Sequence, residues 1–329
     1  MDAPQRMVSD EALRTMFSGV RRRRRGASHV ATGAADTAGQ APEDGRLVSR
    51  VGCGLTRVPR LRTRVAAHVS RLNLYDNRLG ERADLMAVLD ALPALCHLNL
   101  AANGITRPAL KALAALPLAG RLVSLDLSHN DISGRLPRTF LPALKALVSL
   151  HLKGNALTGV AGKAPALATP SQLQTLDLTA AYSSHEGNGM ARMLQQAFTV
   201  MPRSLLASGT ALRELYLTNQ QLTDLDPVGL RCCTALRKLM LGNNLFTQLP
   251  AALPNLPALT WLDMSKNLLT TEPLALATAP RLKLLRLHGN GFDDDREFKE
   301  LANSQRDGEL IAALHNRAVA AGAHDDVIG

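Results

Sequence analysis

Asp126, His151 and Asp177 stand 25 and 26 residues apart, and each is framed by leucines: Leu125 and Leu127, Leu150 and Leu152, Leu176 and Leu178. On neighbouring parallel strands, equivalent residues lie about 4.8 Å apart. His151 would then sit between two carboxylates that favour its charged form. Ser149, two residues earlier on the same strand face, completes the side chains of a hydrolytic triad. The chemistry stops short of that, because a strand offers neither a strained nucleophile turn nor oxyanion donors. The trio reads as a ligand or partner contact, or as a solvated polar ladder. His97 and His129 fall in the same region at different strand depths, which speaks against a shared metal site.

A second group occupies the same kind of position further along the chain: Tyr216, Lys238, Met240, Trp261, Asp263, Arg286 and His288. Trp261 is the single tryptophan. Large aromatic and arginine side chains on a rigid surface are common binding anchors. The competing expectation is that Trp261 folds over its neighbours. Other constellations fail on spacing. Gly162-Lys163 has Leu157 where a phosphate loop needs glycine and Ala164 where it needs Ser or Thr. H-E-x-x-H, paired C-x-x-C and G-x-S-x-G do not occur. Neither a catalytic role nor a cofactor nor a metal centre is expected.

The elements that must position these residues follow from one recurring frame. Leu122, Leu125, Leu127 and Asn130 repeat as Val69, Leu72, Leu74, Asn77; as Leu95, Leu98, Leu100, Asn103; and as Leu147, Leu150, Leu152, Asn155. A weaker copy (Leu173, Leu176, Leu178) has Ala181 in the asparagine slot. Leu212 to Gln220, Leu236 to Asn244, Leu259 to Asn267 and Leu282 to Asn290 continue the series, and a degenerate copy from Val48 to Cys53 and Leu55 opens it. The sequence thus resembles the leucine-rich-repeat family, matching its L-x-x-L-x-L-x-x-N/C-x-L frame over residues 46–292 in about ten turns. "ITRPALKALAAL" looks like the helix-bearing ribonuclease-inhibitor type, "DISGRLPRTF" like the plant type and "FTQLPAALPNLPAL" like the short common type. The resemblance implies an α/β solenoid, a curved horseshoe with a parallel sheet on its concave face and helices and irregular turns on the convex face.

In each turn the middle leucines point inward along a short strand, after which the chain bends sharply and leaves backbone groups that no ladder satisfies. A buried amide, both donor and acceptor, can pair with them. The step from Ala181 to Gln220 is 39 residues against 23 to 27 elsewhere, an enlarged repeat over 181–220. Within it Met190, Met193, Leu194, Ala197, Phe198 and Met201 follow helical spacing. They predict either an outer helix packed on the neighbouring repeats or a methionine-rich docking helix, at the weakest joint of the array.

Three regions complete the organisation. Residues 1–45 read as a flexible arm holding a short amphipathic helix (Leu13, Met16, Phe17, Val20) followed by Arg21, Arg22, Arg23, Arg24 and Arg25. That run is a solvated charge cluster, a nuclear-import or nucleic-acid patch, or an anchor for acidic lipid or protein. Residues 46–75 hold seven arginines and no acid, whereas residues 293–329 hold nine acids and four bases. The acidic end is expected to form two short helices that cap the core, with Asp293 to Asp295 as helix N-terminal acids rather than a calcium loop.

The chain is 46% hydrophobic but 3% aromatic, which suits thin leucine-filled turns. There is no run of 18 apolar residues, and the first residues hold no apolar leader, so neither a membrane span nor secretion is expected. Cys53, Cys96, Cys232 and Cys233 do not form clustered cap pairs and read as reduced thiols. The expectation is an interaction scaffold of the cytoplasm, with the nucleus and the cytoskeleton as alternatives, that binds a protein through its concave face. The rivals are a regulator of an enzyme such as a GTPase or phosphatase and a nucleic-acid-associated protein using the arginine-rich part. Deleting residues 1–45 should leave the unfolding midpoint of the repeats nearly unchanged in a calorimetric scan, since a flexible segment contributes few buried contacts; a large fall would show that the arm is part of the fold.

Overall fold

A computed structural model of the chain describes residues 47–58, 61–80, 83–160, 170–180, 198–199, 201, 206, 210–292, 295–304 and 306–328. The Arg21 to Arg25 run, Ala181 and Met190 to Ala197 lie outside them. The strands are β1 (Leu47–Ser49), β2 (Arg71–Asn73), β3 (His97–Asn99), β4 (Ser124–Asp126), β5 (Ser133–Leu136), β6 (Ser149–His151), β7 (Ala156–Val160), β8 (Thr175–Asp177), β9 (Glu214–Tyr216), β10 (Lys238–Met240), β11 (Trp261–Asp263) and β12 (Leu284–Arg286). Ten of them form one parallel sheet in the order β1-β2-β3-β4-β6-β8-β9-β10-β11-β12. This is the α/β solenoid that the repeat frame implies. β5 and β7 pair separately and in parallel, in the turns where "DISGRLPRTF" begins.

Each sheet strand is three residues long because only its middle side chain enters the core. Leu72, Leu98, Leu125, Leu150, Leu176, Leu215, Leu239, Leu262 and Leu285 stand in register and are buried. The residues on either side of them project to the open face of the sheet. Among the described residues the helices are α1 (Thr63–Ala66), α2 (Ala83–Asp90), α3 (Arg107–Ala114), α4 (Phe140–Ala143), α5 (Pro227–Arg231), α6 (Arg296–Asn303) and α7 (Asp307–Ile328). In α3, Pro108 opens the first turn, and Ala109, Leu110 and Leu113 bury one face at helical spacing. α5 is started by Asp226, whose carboxylate accepts the N–H of Gly229 at 2.6 Å. The short-type repeat carries only a 3-10 turn, Leu253–Asn255.

The asparagine slot binds successive turns together. Asn130 donates through Nδ2 to the carbonyl of Leu127 in its own turn (2.9 Å) and of Leu100 in the preceding one (3.0 Å). Its Oδ1 accepts the N–H groups of Asn103 and Ile105, both at 2.9 Å. Asn155, Asn244, Asn267 and Asn290 repeat the arrangement: each donates within its own turn and to a carbonyl of the turn before, and accepts an N–H from that earlier turn. Asn77 does the same for the opening copy, accepting from Leu55, two residues beyond Cys53.

The residue before this slot is left-handed in turn after turn. Asp76, Ala102, His129, Asn219, Asn243 and Lys266 have φ between 52 and 61°, and Gly52, Gly154 and Gly289 fill the same place at 61, 73 and 72°. Non-glycine residues there hold a costly conformation, and the amide bonds that follow hold it in place. At Gly154 a Cβ would also stand 2.5 Å from the His129 ring, so any larger residue there would have to displace that exposed side chain.

The enlarged repeat is an insertion with a definable end. At Asn77, Asn130, Asn155, Asn244, Asn267 and Asn290 the amide oxygen accepts from the residue two beyond the previous slot, whereas Asn103 Oδ1 is buried without a partner. Gln220 Oε1 instead accepts from Phe198 at 2.7 Å, where the count from Ala181 predicts position 183, so 15 residues are added (198 less 183). Phe198 and Met201 are buried, and neither lies in a helix. The helical spacing therefore does not extend through them: tertiary contacts place these two in the repeat core, and an apolar period alone could not distinguish that from a helix face.

At the acidic end, the two expected short helices are unequal: α6 has eight residues and α7 has 22. Phe298, Ala302, Leu310 and Leu314 are buried over the last turn, with Phe298 edge-on to Phe292. Asp295 caps α6 by accepting the N–H of Phe298 at 2.8 Å. Arg317 of α7 pairs with Glu272 at 2.6 Å and with Asp295, tying the cap to the preceding turn. The hydrogen bond from Arg317, then that from the Phe298 N–H, holds the Asp295 carboxyl down at about 2, whereas burial outweighs the same guanidinium at Glu272 and raises that carboxyl.

Asn130→Ala should destabilise the protein by about 2–4 kcal/mol in denaturant unfolding, because it orphans buried N–H groups of the preceding turn, while Asn255→Ala, at the exposed end of the 3-10 turn, should stay within about 0.5 kcal/mol. Equal effects would contradict the ladder. For the cap, a depressed carboxyl pKa contributes stability that is present above its ordinary value of 3.8 and lost as pH falls through about 2. The difference in unfolding midpoint between the protein and Arg317→Met should accordingly be largest above that window and shrink as pH falls through it.

Candidate protein-binding face

The open face over β9–β12 is built by strand register. Lys238 stands beside Glu214 on one side and Trp261 on the other, while Tyr216, Met240, Asp263 and Arg286 form the next row. Lys238 Nζ lies 3.8 Å from the Trp261 ring centroid and 5.1 Å from that of Tyr216, and the Arg286 guanidinium carbon lies 5.6 Å from Trp261. Two cations and two rings thus form one stacked group across four strands. Tyr216 donates its hydroxyl to Glu214 at 2.5 Å. Trp261 is half-buried, and its indole N–H has no acceptor; His288 Nδ1 is likewise buried and unpaired.

This changes the role of several residues singled out in the sequence. Trp261 does lie on the inner face, but it carries the side chains of its neighbours rather than offering an open ring. Asp263 is 8% exposed, and its Oδ1 accepts both the N–H (2.9 Å) and the hydroxyl (2.6 Å) of Ser265, which removes it from the surface offered to a partner. Met240 and His288 remain half-exposed beside the stack.

The other cluster comes together in register, with Asp126 paired to His151 and His151 to Asp177. Its hydrogen bonds run elsewhere. Asp126 Oδ1 accepts the N–H of Ser128 and Asp177 Oδ1 that of Thr179, each within its own turn at 2.9 Å. His151 Nε2 meets Ser149 Oγ at 2.8 Å, and Ser149 is 3% exposed. The carboxylates serve the turns that follow their strands, and the imidazole covers a buried serine; the arrangement is a polar ladder without oxyanion donors.

Comparison with known proteins decides the family. Sequence profiles described as "Leucine rich repeat" and "Leucine Rich Repeat" match residues 210–269 and 121–142. The chain belongs to the leucine-rich-repeat family. Human podocan-like protein 1 is 30% identical over 218 residues, covering 63% of this chain and 39% of that protein. Acidic leucine-rich nuclear phosphoprotein 32-related protein 1 of Caenorhabditis elegans is 32% identical over 114 residues, 33% of this chain and 48% of that one. The chain spans less than half the length of either relative. A chain in the Toll–Spatzle complex of Drosophila has the same fold, with a TM-score of 0.53 at 21% identity over 74% of this chain and 33% of that one. Both matched profiles describe an interaction repeat and not a catalytic family.

Within this leucine-rich-repeat frame, the residue immediately before each strand forms a further row that the leucine pattern passes over. On β9, β10 and β12 it is Arg213, Arg237 and Lys283, linked through Thr260 by backbone hydrogen bonds of 2.8 to 2.9 Å. A periodic cation two positions before the central leucine is the signal that would have found them. Among the described residues no group of three His, Cys, Asp or Glu could hold a metal ion. Burial, then the charge of Arg71, lowers the pKa of His97. Burial raises the Cys96 thiol and pushes Cys233 up to about 12, so that buried thiol stays protonated and unreactive. All four cysteines are free. No helix among the described residues is long and apolar enough to cross a membrane.

Proposed function

We propose that this protein is a non-enzymatic intracellular scaffold that binds a protein partner through the concave face over β9–β12. The observation that carries the reading is the stack of Tyr216, Lys238, Trp261 and Arg286, four large side chains held in place on a surface that the fold does not require them to occupy. Preorganised aromatic and cationic side chains on a rigid sheet bind at low ordering cost. A reducing compartment, cytoplasmic or nuclear, is supported by four free cysteines, two of them adjacent. Regulation of an enzyme would use the same face, and it would be recognised by altered GTPase or phosphatase activity of the captured partner.

The test is the double variant Tyr216→Ala/Trp261→Ala. It should weaken the principal protein partner, isolated by affinity purification and measured by titration calorimetry, by about 2 kcal/mol or roughly thirtyfold while circular dichroism is retained. Changes at the exposed convex residues Lys111 and Arg138 should leave binding within about twofold. Unchanged affinity in the double variant would move the binding surface elsewhere.

A further inference from the structure

We infer that the partner segment seated on β9–β12 is acidic; this rests on the concave face being the binding surface and adds the chemistry of what it binds. Lys238 and Arg286 project from the face, and Arg213, Arg237 and Lys283 line its leading edge in one row with Thr260. The same strands carry two carboxylates, Glu214 and Asp263, which accept from the hydroxyls of Tyr216 and Ser265 and keep their charge, so the five cations are in excess. Among the described residues Arg213, Arg237, Lys283 and Arg286 enter no ion pair. This surface is therefore cationic, in contrast to the Asp126 and Asp177 region of the same sheet.

Two features turn the charge into a site. Three strand steps separate Arg213 from Lys283, roughly 14 Å, which four or five residues of extended chain would span. Stacking also restrains Arg286 without neutralising it. A cation on a ring keeps its charge and has already lost rotamer freedom, so pairing with an incoming carboxylate costs less ordering. The same stacking disfavours nucleic acid as the occupant. Sequence-tolerant binding of single strands uses open aromatic faces for the bases, and here Lys238 at 3.8 Å and Arg286 at 5.6 Å already occupy the Trp261 ring.

The experiment uses the full chain and labelled peptides of about eight residues, glutamate-rich, lysine-rich or serine-rich, together with a single-stranded DNA oligonucleotide of similar length, followed by fluorescence anisotropy. The glutamate-rich peptide should bind in preference to the other three probes. Lys283→Glu/Arg286→Glu should weaken it by about tenfold or more, and so should the exposed Arg237→Glu alone to a lesser degree, each variant being checked for folding by circular dichroism. Arg62→Glu/Arg64→Glu, on the distant α1, changes the net charge equally and should leave affinity within about twofold. Equal losses in the two double variants would reduce the effect to overall charge, and tighter binding of the oligonucleotide would replace the acidic segment with nucleic acid; either result overturns the inference. If Tyr216→Ala/Trp261→Ala releases the protein partner but reversal at 283 and 286 does not, the concave face stands as the binding surface and its acidic specificity falls.

Discussion

A side-chain amide that belongs to two turns at once is the interaction on which this solenoid depends. Three-residue strands make too few ladder bonds to hold a turn in shape, and the left-handed residue after each strand costs energy by itself. The amide in the next position donates backwards and within its own turn, and accepts from the turn before. Each turn's bend is thus stabilised by its neighbour. Stability is accordingly shared between adjacent repeats, and insertions are tolerated where the amide can still reach its partners.

Gln220 illustrates that tolerance. Its acceptor function is met by Phe198, across 15 added residues, and its donor group reaches the carbonyl of Leu178 in the preceding turn. The buried Phe198 re-enters the core at the place an ordinary repeat would fill with the second residue after its asparagine. At the far end no further turn exists to accept the ladder, so α6 and α7 close the core. Arg317 links the cap to the turn below through two carboxylates whose pKa values move in opposite directions, because desolvation dominates at Glu272 and the hydrogen bond from Arg317 dominates at Asp295.

The surface that remains after the fold's requirements are met is the open face of the sheet. It is chemically divided. Over β4, β6 and β8, Asp126, His151 and Asp177 bond mainly within their own turns. Over β9–β12, aromatic rings carry cations and a row of basic residues lines the edge.

The leucine and asparagine spacing by itself determined the solenoid, the order of its strands, which side chains enter the core and which face outward, because a residue's direction on a short strand follows from its position in the frame. It also determined that Asp126, His151 and Asp177 would be neighbours. What those side chains touch was decided only by tertiary structure. Rotamers and competing backbone donors sent the two aspartates to the N–H groups of Ser128 and Thr179, buried Asp263 against Ser265, and laid Lys238 on the ring of Trp261. The left-handed position was hidden in the sequence because Asp, Ala, His, Asn, Lys and Gly all occupy it, and the constraint comes from the neighbouring amide rather than from the residue's own preference. Likewise, an apolar period placed Phe198 on a helix, whereas its N–H donates to the amide oxygen of Gln220, 22 positions later, and its side chain lies in the core.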